Sequence, residues 1–335
     1  MIAPVAALAT VGMTSRPAAP LLSLRVSVTD RCPLRCAYCM PEDGLPMARR
    51  QDVLSYEEIV RFVRELATRY SLGHVRITGG EPLVRPEIDR LVAMLAAAGV
   101  SDLALTTNGQ QLGGLAERLK QAGLGRVNVS LDTLSAETFA AMTRGGVLKK
   151  TLDGIAAARR VGLRPVKLNM VVMRGRNDHE VAELVLFAME HECQVRFLEL
   201  MPVGVAAAGF EDRFVPTAEV RERLSRHFTL SALTVDPHGT SRDFVAADGR
   251  GRSTIIGFIS PYSEPFCAGC RRLRLTATGV LIGCLARSGG VPLAPLLRGG
   301  ATDGEAVAAA VEQAFGMKRR NGEFIQPRAM VGIGG

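Results

Sequence analysis

Apolar and polar positions follow a strand-like period and then a helix-like period six times between Leu24 and Pro202. The short apolar runs predict strands at Leu24–Thr29, His74–Thr78, Asp102–Thr107, Arg126–Asp132, Pro165–Met173 and Gln194–Met201. The segments between them predict helices at Tyr56–Tyr70, Glu87–Ala98, Gly113–Ala122, Ser135–Thr143, Lys149–Val161 and Glu180–His191. Ser55 followed by Glu58 has the form of a capping box for the first helix. Six strand–helix units are typical of α/β proteins, and they predict a partial (βα)6 barrel of the TIM type.

Within these strands, polar residues share one face and apolar residues share the other. The polar faces carry Arg25, Ser27, Thr29, Arg76, Thr78, Asn128, Ser130, Asp132, Lys167 and Asn169, and more weakly Thr106 and Asn108. A closed eight-stranded barrel fills its interior with branched apolar side chains. Here the apolar faces must pack on the helices, so we expect an open barrel with a polar lumen. A sheet with one face in solvent is the alternative, which the usual two-sided cover of parallel sheets disfavours.

The pattern changes after Pro202. Residues 203–214 are small and rich in Gly and Ala, which predicts a long loop, and helices are predicted only at Thr217–His227 and Asp303–Phe315. We interpret residues 22–202 as the barrel and residues 203–335 as a smaller α+β domain that covers its mouth. Residues 1–21 lack the basic segment of a signal peptide and contain three prolines, so we expect a disordered arm.

Composition narrows the class of protein. The chain has 335 residues and a net charge of +8, but it has no Trp and no basic block interleaved with aromatic residues. The charge therefore fits a solvated basic surface or an anionic small substrate as well as a nucleic acid. No apolar run is long enough to span a bilayer. Six of the seven cysteines form two groups of three, which in a long chain indicates metal or catalytic sites in a reducing cytosol; Cys193 has the setting of a buried thiol.

The first Cys set, Cys32, Cys36 and Cys39, directly follows the first predicted strand. A [4Fe–4S] cluster normally takes one Cys for each of its four irons, so three Cys leave one iron open for chemistry. A structural zinc site is the alternative, but zinc needs a fourth ligand at short spacing, and the nearest His is His74.

The second Cys set, Cys267, Cys270 and Cys284, again offers three thiols. A zinc ribbon completed by a distant His is the alternative to a second open cluster. Arg272 and Arg274 follow at once on one face of a predicted strand. Together with Arg25, Arg76 and Lys167 on the lumenal face of the barrel, they predict a cluster of cations that binds a polyphosphate. The chain has no Walker-type loop, so a phosphate ligand would be held by these cations instead.

The first Cys set together with Gly79-Gly80-Glu81-Pro82, forty residues later, resembles the radical S-adenosylmethionine (SAM) superfamily. Adding the second Cys set, Arg272, Arg274 and the terminal Gly334-Gly335, the chain from Leu22 onward is similar to the GTP 3′,8-cyclase family of molybdenum cofactor biosynthesis. Pro33, where Asn is more usual, is a small departure. The resemblance implies that a 5′-deoxyadenosyl radical removes the C3′ hydrogen of GTP. Bonding of C3′ to C8 then gives 3′,8-cyclo-7,8-dihydro-GTP.

The same resemblance implies roles for individual residues. The first Cys set would hold the SAM cluster, and the second would hold another [4Fe–4S] cluster that binds the guanine ring. SAM would contact Tyr38, Gly80, Ser130 and Met201. GTP would contact Arg25, Arg76, Thr106, Lys167, Arg272, Leu273 and Arg274. Arg196, Gly334 and Gly335 would complete the catalytic site, with the Gly-Gly tail inserted towards the barrel.

The resemblance further implies a cytoplasmic enzyme with no nucleic-acid or membrane partner. Its product would pass to a cyclic pyranopterin monophosphate synthase, and a flavodoxin or ferredoxin would supply electrons. The resemblance leaves open whether the protein is a monomer or a homodimer. Two other functions compete with this one: a radical SAM enzyme that modifies peptides with the help of an auxiliary cluster, and a zinc-stabilised nucleic-acid-binding module.

Overall fold

The computed structural model describes residues 21–299, 303–318, 324–326 and 328–333. The strands are β1 Leu21–Ser27, β2 Ser71–Thr78, β3 Leu103–Thr107, β4 Arg126–Ser130, β5 Val166–Val172, β6 Gln194–Glu199, β7 Thr229–Ala232, β8 Arg242–Ala247, β9 Ser253–Ile259, β10 Arg272–Leu275, β11 Val280–Ile282 and β12 Val291–Pro292. The α-helices are α1 Tyr56–Arg69, α2 Ile88–Ala97, α3 Leu112–Gln121, α4 Ala136–Thr143, α5 Leu148–Arg160, α6 Val181–Glu190, α7 Phe210–Arg213, α8 Thr217–Ser225, α9 Ala294–Arg298 and α10 Gly304–Gly316.

The six predicted strand–helix units are all present, with bounds that differ by a few residues. The capping box is confirmed: Ser55 Oγ accepts a hydrogen bond from the Glu58 amide (3.1 Å), and a Glu58 carboxylate oxygen accepts one from the Ser55 amide (2.6 Å). These two bonds satisfy amides that the first helical turn leaves without partners. Leu21, which the sequence placed in the N-terminal arm, already belongs to β1.

One twelve-stranded sheet organises the molecule, in the order β12-β11-β10-β1-β2-β3-β4-β5-β6-β9-β8-β7. The strands from β1 to β6 run parallel. β10 adds to β1 and β9 adds to β6, both also in parallel, and the outermost strands are antiparallel. The two ends of the described sheet do not pair, so the barrel is open. The C-terminal part of the chain therefore widens the barrel at both of its edges.

The predicted alternation of faces is confirmed. Leu24, Val26 and Val28 are fully buried against the helices, in one large apolar core. Arg25 and Arg76, on the opposite face, line a cavity. Since successive side chains of a strand point to opposite sides, the apolar positions fix the helices outside and leave the polar positions inside.

The predicted loop at 203–214 is only partly correct. It contains a 3-10 turn at Gly204–Ala206 and the short helix α7, because Ala206 and Phe210 are buried. A Cβ at Gly204 would lie 2.8 Å from Ala329 Cα, so the last described segment packs directly on this turn. Among the described residues, no helix is long and apolar enough to cross a membrane.

Candidate active site

A single cavity runs along the polar face of the sheet and receives side chains from both halves of the chain. Both Cys sets border it, together with Arg25, Tyr38, Arg76, Gly80, Thr106, Ser130, Arg196, Met201, Arg272 and Arg274. Nearly all side chains that the sequence assigned to a site therefore meet in one place.

The first Cys set lies on a tight turn after β1. The Cys39 amide donates to the Cys36 carbonyl (2.8 Å), and the Arg35 and Ala37 amides donate to carbonyls at the end of α4 (both 3.0 Å). Burial raises the pKa of Cys39 to about 12 and that of Cys32 to about 11. Buried thiols of this kind are inert as free groups and become thiolate ligands when a metal supplies the positive charge.

The arrangement of these thiols suits a cluster better than a single ion. Among the described residues, no three His, Cys, Asp or Glu side chains form a group that could hold one metal ion. A [4Fe–4S] cluster gives each thiolate its own iron, so it does not require the thiolates to converge on one point. The first Cys set therefore fits the SAM cluster that its spacing predicts.

The Gly79-Gly80 turn packs backbone to backbone against the loop that leads to the first Cys set. The Gly80 amide donates to the Thr29 carbonyl (2.7 Å), and a Cβ at Gly80 would lie 2.5 Å from the Arg31 carbonyl oxygen. No larger residue fits here without moving the backbone. Glu81 is buried and accepts hydrogen bonds from Thr107 Oγ1 and the Asn108 amide (both 2.7 Å), which join this turn to β3.

Tyr38, between two ligands of the first Cys set, is held by a buried carboxylate. Its hydroxyl donates to Asp132 Oδ2 (2.6 Å), while Asp132 Oδ1 accepts from the Val171 amide (2.8 Å). Burial raises the pKa of Asp132 to about 6. This chain of hydrogen bonds ties the Cys loop to β4 and β5, so the ring of Tyr38 has a fixed place in the cavity.

Three arginines form a row across neighbouring strands; Arg76 and Arg274 are buried and Arg25 is half-buried. In the sheet register Arg25 is opposite Arg274 on one side and opposite Arg76 on the other; we call these three the arginine row. Burial, and then the other guanidinium groups, lower the pKa of Arg25 and Arg76. Within the described residues neither forms an ion pair, and the Nε of each is buried without a hydrogen-bond partner. Like charges side by side in a sheet are destabilising, so this row indicates an anionic ligand.

The second Cys set lies at the other end of the same strands. Cys267 and Cys270 precede β10, which runs parallel to β1, whereas the first Cys set follows β1. The loops before and after two parallel neighbours lie at opposite ends of the pair. The two Cys sets therefore flank the arginine row, one at each end of the cavity, and not at one shared edge of the sheet.

Comparison with known proteins agrees with this two-part site. Residues 26–188 match the Radical SAM superfamily model, and residues 193–324 match the Molybdenum Cofactor Synthesis C model. The GTP 3′,8-cyclase of Moorella thermoacetica is 44% identical over 319 residues, which cover 93% of this chain and 97% of that protein. The chain belongs to the GTP 3′,8-cyclase family. The Marinobacter nauticus member is likewise 44% identical, over 90% of each chain.

The solved structures agree on the fold. SuiB of Streptococcus suis bound to S-adenosylmethionine superposes with a TM-score of 0.63 at 15% identity, over 83% of this chain and 65% of the SuiB chain. At that identity the likeness shows a radical SAM fold and no more. Membership in this superfamily brings with it a [4Fe–4S] cluster and SAM, and the first Cys set offers the thiols that such a cluster would need.

Four residues assigned from the GTP 3′,8-cyclase resemblance differ from the rest. The side chain of Leu273 is fully buried in the apolar core, because it alternates with Arg272 and Arg274 on β10; its contact with GTP stays a prediction, which would involve its backbone. Lys167 does not line the cavity and lies near the start of β5, opposite Asn128 and Gln194. Gly334 and Gly335 lie outside the described residues, although Met330 and Val331 line the cavity.

Sequence reasoning gave no role to two polar residues of the site. Asn169 was placed on the lumenal face by the alternation in β5, and its buried Oδ1 has no partner among the described residues. Lys318 lines the cavity next to the second Cys set. It follows α10, far along the chain from these cysteines, so no local pattern predicted it.

Proposed function

We propose that this radical SAM cyclase of molybdenum cofactor biosynthesis binds GTP with its triphosphate on the arginine row and converts it to 3′,8-cyclo-7,8-dihydro-GTP. One observation carries the assignment of the substrate. Arg25 and Arg76 stand side by side in a cavity that both Cys sets border, and within the described residues neither pairs with a carboxylate. Such a charge pattern favours a polyanionic ligand, and guanidinium groups bind phosphate oxygens in pairs.

Arg272 and Arg196 extend the positive region along the cavity. The guanidinium of Arg272 lies 5.6 Å from the ring of Phe266, which fixes its position through a cation–π contact. We propose that Arg196 and Thr106, which line the cavity, complete the polar environment of GTP, and that Lys167, outside the lining but within electrostatic range of Arg196, reaches GTP when it binds. A triphosphate would then meet preorganised cations, so little reorganisation would be needed when it binds.

At the first Cys set, Cys32, Cys36 and Cys39 would hold a [4Fe–4S] cluster with one open iron. When bound, this cluster and SAM supply the removal of a hydrogen atom from the substrate. The chain's own contribution is to bind and orient SAM. The Gly80 turn leaves room for a ligand to approach the backbone, and we propose that Tyr38, Ser130 and Met201 contact SAM from the surrounding walls.

At the second Cys set, Cys267, Cys270 and Cys284 would hold a second [4Fe–4S] cluster whose open iron binds the guanine ring. The base and the triphosphate would then both be fixed, and the ribose would be free to face the first Cys set. Holding the reacting atoms in this way lowers the entropic cost of bringing them together in the correct orientation. We also propose that residues 334–335 close the site, since the segment just before them lines it.

On this proposal the chain divides near residue 202, and residues 203–335 form the domain that carries the second Cys set. The product would pass to a cyclic pyranopterin monophosphate synthase, and a flavodoxin or ferredoxin would supply the electrons.

The function is tested anaerobically with the reconstituted protein. Iron, sulfide, dithionite and SAM are added, and 5′-deoxyadenosine is quantified with and without GTP, together with any cyclised guanosine product. We expect cleavage of SAM that depends on GTP and is accompanied by the cyclised product. Cleavage that is indifferent to GTP would refute the substrate and favour a peptide-modifying enzyme. No cleavage by a colourless, zinc-containing protein would refute the radical chemistry.

A further inference from the structure

Lys318 is a half-buried lysine whose ammonium group reaches the second Cys set. Its Nζ donates to Cys270 Sγ (3.5 Å), to the Arg272 carbonyl (2.6 Å) and to the Gly283 carbonyl (3.0 Å). An ammonium group has three donors and no acceptor, so every donor of Lys318 has a partner. The three partners lie at the end of the Cys267–Cys270 turn, at the start of β10 and next to Cys284.

The charge of Lys318 faces the sulfurs of the second Cys set. Within the described part of the chain, Lys318 forms no ion pair with a carboxylate; its Nζ contacts Cys270 Sγ, and Cys284 lies within electrostatic range. As ligands of a cluster these sulfurs would carry negative charge, which the ammonium group would compensate.

Close packing sets the position of Lys318. A Cβ at Gly283 would overlap the Ala314 carbonyl, so α10 lies directly on the residue before Cys284. The Lys318 amide then donates to the Phe315 carbonyl (3.1 Å), and its ammonium group lies 5.3 Å from the Phe315 ring. The lysine thus extends from a fixed helix end and is not a mobile surface side chain.

We propose that Lys318 is a positioning residue for the second cluster: it orients Cys270 and raises the reduction potential of the cluster through a charged N–H···S bond. The inference rests on the proposed second cluster. Hydrogen bonds to sulfur and nearby charge are among the groups that set the potential of iron–sulfur clusters. A positive charge favours the reduced cluster, because reduction adds negative charge.

The test compares Lys318→Met and Lys318→Gln with the unchanged full-length protein after anaerobic reconstitution. Iron and sulfide are counted, and the midpoint potential of each cluster is followed by electron paramagnetic resonance. For Lys318→Met we expect a shift of the second cluster to lower potential, or loss of up to half of the iron, while the first cluster keeps its potential. Lys318→Gln should shift the potential less, because an amide donates without a charge.

A merely structural role would lower thermal stability and leave the potentials unchanged. If both clusters are present in each variant at their original potentials, the inference is overturned, whatever happens to stability. If Lys318→Met does not fold, Lys318→Gln decides by the same criterion. Lys149→Met, which removes an exposed lysine paired with Asp153, is the control and should change neither cluster. A parent protein with one cluster would instead refute the second cluster, and the inference with it.

Discussion

Removing one charge of the arginine row should have two opposite effects, one on GTP binding and one on the stability of the GTP-free protein. Arg76 is 8% exposed and stands opposite Arg25 in the sheet, and its Nε has no hydrogen-bond partner among the described residues. We expect Arg76→Met to weaken GTP binding and, at the same time, to stabilise the GTP-free protein. Methionine keeps most of the aliphatic packing and removes the charge, so the two effects report on the charge and not on a cavity.

The size of the binding effect follows from the bonds that are lost. A hydrogen bond to a charged group contributes about 1.5–3 kcal/mol net. Since about 1.4 kcal/mol corresponds to a tenfold change in affinity, loss of one guanidinium–phosphate contact should weaken GTP binding about 10- to 100-fold. The free energy of unfolding without GTP should rise, because Arg76 is penalised by burial and by neighbouring guanidinium groups, Arg196 foremost among them.

The assay is calorimetric GTP binding to the reconstituted protein, paired with denaturant unfolding in the absence of GTP. Arg118→Met is the matched control, since Arg118 is paired with Asp89 on the surface and carries the same charge. We expect it to leave GTP affinity nearly unchanged, because neither Arg118 nor Asp89 lines the cavity. Unchanged GTP affinity in Arg76→Met, or a less stable GTP-free protein, would refute the role of the arginine row.

Three further predictions concern other parts of the site. Cys284→Ala should remove about half of the iron and leave SAM cleavage chemistry at the other set; iron analysis showing the full content would reassign this thiol. Deletion of residues 334–335 should abolish cyclisation without changing the circular dichroism spectrum, and full activity would make the tail dispensable. Burial lowers the pKa of Lys167 to about 8. GTP affinity, measured from pH 6.5 to 9.5, should therefore fall as the pH rises through about 8, and Lys167→Arg should remove that dependence; the same fall in Lys167→Arg would exclude Lys167 as its source.

Strand alternation explains why so much of the site could be predicted. A period of two assigns every residue of a strand to one face, so the apolar partners of Arg25 and Arg76 sufficed to place both guanidinium groups inside the barrel. The same rule places the side chain of Leu273 in the apolar core, so its predicted contact with GTP would have to come from its backbone. Lys318 could not be predicted, since only the packing of α10 on Gly283 brings it to Cys270.

The strands that pair at the two edges of the sheet could not be predicted from the sequence either. The hydrophobic pattern shows which face of a strand is apolar, but it does not show which strand pairs with it. β9 and β10 are consecutive strands, yet one joins β6 and the other joins β1, at opposite edges of the barrel. Because consecutive strands are usually neighbours in space, the pattern favoured a separate C-terminal layer over two added edges.

This topology also determines how many groups the six clustered cysteines can hold. β10 pairs with β1 from Ser23 opposite Arg272 to Val26 opposite Leu275, so the paired strands alone separate the two Cys sets by on the order of 10 Å. A metal–thiolate bond is only about 2.3 Å long, so one metal centre cannot draw ligands from both sets. On the proposed function each set would therefore bind its own group, with the arginine row between them. The guanine ring would lie at the second Cys set and the triphosphate on the arginine row, and the ribose would face the first Cys set. Because of that separation, we expect Cys284→Ala to lose the iron of the second Cys set and to keep the iron of the first.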